Sequence, residues 1–97
     1  MFEKVYQVVE KIPAGKVTTY GAIGKILKIS PRVVGFALHK NPDGATIPCH
    51  RVVNKDGRVA PGYAFGGPGI QKKRLEKEGI KFLDPTHLDL PKYQFEL

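Results

Sequence analysis

The sequence predicts a mostly α domain with a small β-hairpin, arranged as a winged helix-turn-helix. Three observations point there. Two short helical stretches, each with its own start signal, follow one another between Thr19 and Asn41. The run "HRVVNKDGRVA" sets apolar residues on both sides of an Asp56-Gly57 turn signal, the pattern of a hairpin. A chain of 97 residues with 41% hydrophobic content suits one globular core.

The elements follow in order. "FEKVYQVVEKI" repeats apolar residues at Phe2, Val5, Tyr6, Val9 and Ile12, a helical stripe facing a core. "PAGK" from Pro13 to Lys16 breaks it. Thr19 is an N-cap for a helix with Ile23, Ile26 and Leu27 inward. Ser30 repeats the signal, Pro31 takes the first helical position, and Val34, Ala37 and Leu38 face inward. "NPDG" (41–44) closes that helix. A plain helical hairpin carries the same signals; the arginine at the second start and the net charge favour a DNA-binding pair. "PGYAFGGPG" (61–69) reads as a glycine-rich loop. "IQKKRLEKEGI" reads as a last helix with Gly79 as its C-terminal cap. The tail, residues 81–97, has no clear period. Its Leu88, Leu90, Tyr93 and Phe95 either pack back onto the body or form an edge strand.

Sixteen Lys and Arg against nine Asp and Glu give a net charge of +7. Such an excess attracts polyanions, nucleic acid above all, although it also serves as a solubilising surface. No apolar stretch approaches the ~20 residues a membrane helix needs, and the charged N-terminus lacks a signal-peptide core. A soluble cytoplasmic protein with no membrane partner is expected. The single cysteine excludes an internal disulfide and a thiolate zinc cluster. His39, His50 and His87 lack ligand spacing, so neither metal nor cofactor is expected.

That cysteine, Cys49, stands in "IPCHRVV" beside His50 and Arg51. A thiol reacts as its thiolate, which an adjacent base or a cationic setting makes accessible. On a strand, neighbouring side chains point oppositely. His50 would therefore need a turn at Pro48 or a bridging water to serve Cys49, and an acid from elsewhere to orient it. By spacing alone, Cys49 reads more readily as a small buried apolar residue than as a nucleophile.

"IPCHRVV" resembles the active-site motif of the O6-alkylguanine-DNA alkyltransferases, also called methylated-DNA–protein-cysteine methyltransferases. The resemblance continues through "IPAGKVTTYGAIG", similar to the family's "VPxGxVxTYGxIA". It extends to "RVVGFALHKNP", similar to "RxVGxAL…NP", and "RLEKEG", similar to "LLxxEG". It covers about residues 2–80 in family order. It implies the DNA-binding catalytic domain alone, residues 1–97 with an 81–97 tail, working as a monomer without the family's separate N-terminal domain.

The resemblance implies a role for each matched residue. Cys49 takes the alkyl group from O6 of a flipped guanine, forming a thioether, so each molecule reacts once. His50 takes the thiol proton through a water, Glu78 orients His50, and Asn41 braces the turn carrying the cysteine. On their own, Glu78 reads as a solvated carboxylate in the last helical turn and Asn41 as a C-cap before proline. Tyr20 sits at the flipped nucleotide and its phosphate; alone it is an ordinary tyrosine at a helix start. Arg32 is the finger that fills the vacated space in the stack; alone it binds phosphate or solvent. Gly35 lets the second helix approach the minor groove; alone it eases helix packing. Arg51 is structural or phosphate-facing. Val52 lies where backbone carbonyls accept the guanine amino group. Tyr63 lines the base pocket, and the Ala64 N–H contributes to it.

Two departures accompany the match. The pocket loop reads "GYAFGG" where family transferases often read "GYSGG", so Ala64 replaces a serine and Phe65 adds bulk. Two extra residues also stand between "HRVV" and the last helix. "PDGATIPCH" resembles a sister branch, the alkyltransferase-like proteins. These are short sensors that bind alkylated guanine without transferring the group and carry tryptophan in place of Cys49. Three readings stand: a single-turnover alkyltransferase acting on duplex DNA; a non-catalytic sensor with nucleotide excision repair proteins as partners; and a generic winged-helix module with an inert thiol.

Overall fold

The computed structural model describes residues 2–41, 47–60, 63 and 66–97. Helix α1 (Glu3–Glu10) buries Val5 and Val9, and Ile12 is buried just past its end. Strand β1 (Thr18–Thr19) leads directly into α2 (Tyr20–Leu27). Thr19 caps α2 as its sequence predicts, its hydroxyl accepting from the Ala22 N–H at 3.0 Å. Lys28 closes α2 in the left-handed region, φ 60. Helix α3 (Pro31–His39) starts at Ser30, whose hydroxyl accepts from the Val33 N–H at 3.2 Å. Val34, Ala37 and Leu38 are buried, as predicted.

Gly24 is what lets the α2–α3 turn close. A Cβ there would lie 2.5 Å from the Ile29 carbonyl oxygen, which no side chain tolerates. The inward stripe of α2 runs through Ile23, Gly24 and Leu27. Ile26 sits about 100° round the helix from Leu27, so the expectation that it faces inward is corrected: it is 47% exposed.

The β structure also differs from expectation. Strand β2 (Val52–Val53) pairs in parallel with β1, Thr18 opposite Val52 and Thr19 opposite Val53. The Asp56-Gly57 turn forms, with the Gly57 N–H donating to the Asn54 carbonyl at 2.9 Å and Gly57 at φ 86. The Asn54 N–H donates to the Arg58 carbonyl at 2.9 Å, but the chain then leaves β2, and Arg58 pairs with His87 of the tail. The expected hairpin wing is thus a turn without a ladder. Val52 and Val53 are fully buried, and the neighbour they take is β1.

The tail does both things its sequence left open. It packs back through Leu88 and Tyr93, which are buried, with a short α5 (Leu90–Tyr93). It also flanks β1, since the Val17 N–H donates to the Tyr93 carbonyl at 2.9 Å and the Phe95 N–H to the Val17 carbonyl at 2.7 Å. Helix α4 (Gly67–Lys77) ends as predicted at Gly79, φ 93. There the Gly79 N–H donates to the Glu76 carbonyl at 3.0 Å and the Ile80 N–H to the Leu75 carbonyl at 3.2 Å, the double bond of a Schellman cap.

Two cores result. One gathers α1, α2 and α3 around Val52, Cys49 and Tyr63. The other holds Val17, Val53, Leu75, Ile80, Leu88 and Tyr93. Val52 and Val53 point to opposite faces of the strand pair, so β2 divides the cores while belonging to both. Among the described residues no helix is long and apolar enough to cross a membrane.

Candidate active site

Cys49 does not stand on a strand. Cys49–Arg51 form one 3-10 turn running into β2, with the Cys49 N–H donating to the Ile47 carbonyl at 2.8 Å and the Arg51 N–H to the Pro48 carbonyl at 3.0 Å. The thiol-bearing residue is only 4% exposed. Asn41, at the end of α3, donates from Nδ2 to the Ile47 carbonyl at 3.0 Å, so it ties down the approach to the turn. Burial pushes the Cys49 thiol above its ordinary range. A hydrogen bond from Asn41, the local backbone and the Arg74 charge oppose that rise without cancelling it.

In the same turn, His50 Nε2 lies 3.0 Å from Glu78 Oε2. His50 Nδ1 is buried with no hydrogen-bond partner among the described residues. Burial lowers the imidazole's pKa, and the Glu78 carboxylate only partly restores it. Burial alone would raise the Glu78 carboxyl, but hydrogen bonds from Arg51 and His50 outweigh it and hold the group below the usual carboxylate range. Glu78 is therefore a fixed anion, and His50 is a neutral imidazole held by it.

Arg51 turns inward. Its Nε donates to Glu78 Oε1 at 3.0 Å and its Nη1 to the Ile12 carbonyl at 2.7 Å. Of the two roles the resemblance offers it, the geometry corresponds to the structural one: the guanidinium is engaged by protein groups that a phosphate would have to displace.

Tyr20 opens α2, half-buried against the first core. Burial and the nearby Cys49 push its phenol up to about 12. It lines a cleft of about 420 Å³ together with Pro31 and the 54–58 turn, including Lys55 and Arg58. Arg32 is exposed at the start of α3, and a Cβ at Gly35 would meet nothing within 4 Å, so both lie on the open side of that helix. Tyr63 is buried beside Cys49 in the first core, with the Arg74 guanidinium 5.9 Å above its ring centre. Ala64 lies outside the described residues. The Val52 side chain is core, and its carbonyl accepts from Gln71 Nε2 at 2.9 Å.

Gln71 and Arg74 escaped the sequence reading. Gln71 is fully buried and uses its whole amide: Oε1 accepts from the Ala60 N–H at 2.7 Å, and Nε2 donates to the His50 carbonyl at 3.0 Å and the Val52 carbonyl at 2.9 Å. The available signal was spacing. Gln71, Arg74, Leu75 and Glu78 fall on one face of α4. That spacing puts Gln71 one turn before the buried Leu75, but the groups it bonds are set by what packs against α4.

Residues 1–80 match the family described as 6-O-methylguanine DNA methyltransferase, DNA binding domain. The chain belongs to this family. It is 39% identical over 98 residues to the DNA base-flipping protein of Escherichia coli strain K12, covering 96% of this chain and 72% of that protein. It is 49% identical over 81 residues to the methylated-DNA–protein-cysteine methyltransferase of Methanocaldococcus vulcanius, covering 81% of this chain and 47% of that one. The chain thus spans about half the length of such methyltransferases. Among solved structures, Schizosaccharomyces pombe Atl1 in complex with damaged DNA containing O6-carboxymethylguanine superposes with a TM-score of 0.87 at 34% identity. That match covers 99% of this chain, tail included, and 94% of the other. The O6-methylguanine-DNA methyltransferase of Pyrococcus kodakaraensis KOD1 superposes with a TM-score of 0.69 at 42% identity over 80% of this chain and 45% of its own. The family fold is therefore a DNA-repair, DNA-binding domain, and its matched members include both methyltransferases and a base-flipping protein.

Proposed function

We propose that this protein flips O6-alkylguanine out of duplex DNA and takes the alkyl group irreversibly onto Cys49 in a single turnover. The observation that carries this reading is the Glu78–His50 hydrogen bond at 3.0 Å, made by the residue that follows Cys49 in a turn tied down by Asn41. A relay of acid, imidazole and thiol has little purpose around an inert cysteine.

Duplex stacking hides the O6 substituent, so the nucleotide must leave the stack at a cost of a few kcal/mol. Helix α3 enters the minor groove through its open side at Gly35, and Arg32 fills the vacated space. The flipped base lies between Tyr20 and Tyr63, its amino group toward the Val52 carbonyl, whose second lone pair remains beside the Gln71 bond. The Cys49 proton then passes through one water to His50 Nδ1, and Glu78 steadies the imidazolium. The sulfur attacks the alkyl carbon. The S–C bond forms as the C–O6 bond breaks, and its electron pair stays with guanine, which takes one proton from water and remains in the strand as the normal base. Tyr20, with its phenol pushed up to about 12, keeps its proton and can hydrogen-bond the leaving base. Nothing in the relay cleaves a thioether, so the molecule works once, as a monomer without a cofactor.

A second reading has its own support. The whole-length match to Atl1 bound to damaged DNA and the match to a base-flipping protein favour a sensor that binds O6-alkylguanine and hands it to nucleotide excision repair proteins. Mass spectrometry after mixing with an oligonucleotide bearing O6-methylguanine separates the two. A gain of one methyl on the Cys49 peptide is expected. Tight selective binding without that gain would replace transfer with sensing, and equal affinity for damaged and intact duplex would remove both.

A further inference from the structure

Helix α3 buries Val34, Ala37 and Leu38 and leaves the opposite side open. Arg32, Gly35, Phe36 and His39 fall within about 100° of arc there. Phe36 is 57% exposed, and the space beside it at Gly35 is empty to 4 Å. A phenyl ring held in water on a helix with an otherwise good core face calls for an occupant. The charges identify it. Lys28 precedes the helix, Arg32 shares the ring's face, Lys40 follows, and the chain carries +7. A cationic face suits a polyanion better than an apolar protein surface.

A phenyl ring has no groups to read a base edge. What it gains on DNA comes from leaving water and entering the base stack, which apolar wedges do from the minor groove, kinking the duplex as they enter. We propose that Phe36 is such a wedge, inserted between base pairs about two steps from the site that Arg32 fills, and that this chain bends its target at two points. The inference rests on the reading that α3 docks on duplex DNA. Four helical residues advance about 6 Å along an axis, and base pairs stack about 3.4 Å apart. Arg32 and Phe36 therefore address steps about two apart when the helix follows the groove.

The test is Phe36→Ala in the full chain, with a duplex carrying O6-methylguanine, dyes at its ends to report bending, and 2-aminopurine two steps from the lesion. Wild type is expected to bend the duplex and brighten the 2-aminopurine by unstacking it. Phe36→Ala is expected to lose the brightening and part of the bend, and to bind about tenfold more weakly, in line with base–aromatic contacts of this kind. Phe36→Leu, still an apolar wedge, should retain much of the bend. Both variants should unfold near the wild-type temperature because the ring is exposed. Wild-type bending and affinity in Phe36→Ala would overturn the wedge. Wild-type protein that bends the duplex yet leaves Cys49 unmethylated keeps the wedge and defeats the transfer reading.

Discussion

Gln71→Met tests how the turn carrying Cys49 is held. Methionine fills nearly the same volume without hydrogen-bonding groups, so packing is largely kept while three bonds are lost. The His50 and Val52 carbonyls and the Ala60 N–H are the groups left behind. Each buried polar group deprived of its partner costs about 1–3 kcal/mol. Allowing for relaxation, the loss should come to about 3–5 kcal/mol, a large share of the roughly 5–15 kcal/mol that holds a small domain. In a domain of this size about 1 kcal/mol moves the melting temperature by about 4–8 °C, so a fall of about 15 °C or more is expected. Urea and thermal unfolding give the stability. Methyl transfer, measured where the variant is still folded, should also slow, because His50 and β2 lose their shared anchor. A stability change below about 1 kcal/mol would mean that the carbonyls find other partners and that Gln71 is not what fixes the turn.

Two further outcomes concern the relay. Glu78→Gln removes the anion that steadies His50 and pairs Arg51; methyl transfer should slow by at least about tenfold, a modest share of what general-base assistance supplies, and an unchanged rate would take Glu78 out of the chemistry. Because burial raises the Cys49 pKa, less thiolate exists at any given pH than in an unfolded chain. Iodoacetamide at pH 8.5 should therefore label folded protein at least about tenfold more slowly than urea-unfolded protein, and equal rates would contradict the raised thiol pKa. His50 is shifted the other way, so it stays neutral and able to accept a proton below its ordinary pKa. Transfer should hold through the neutral range and fall only in more acidic buffer; a fall centred above pH 6.5, the ordinary histidine value, would refute that sign.

The capping signals in the sequence found their counterparts. Thr19, Ser30 and Gly79 cap helices because capping is chemistry within four or five residues of chain, and short-range spacing also located the core faces of α1 and α3. The motif resemblance brought Cys49, His50, Glu78 and Asn41 forward, and the fold sets His50 against Glu78 and Asn41 against the turn before Cys49. Tertiary structure decided the rest. Whether Val52–Val53 paired with its own hairpin arm or with Thr18–Thr19 was a competition between distant partners, and parallel pairing with β1 lets one strand serve two cores. Ile26 was misjudged because a helix stripe is defined by what packs on it. The bonds of Gln71 were not legible in the sequence, since only packing brings the His50, Val52 and Ala60 backbone groups to one side chain. Capping depends on neighbours in sequence, whereas strand partners and buried polar bonds depend on which segments exclude water from one another.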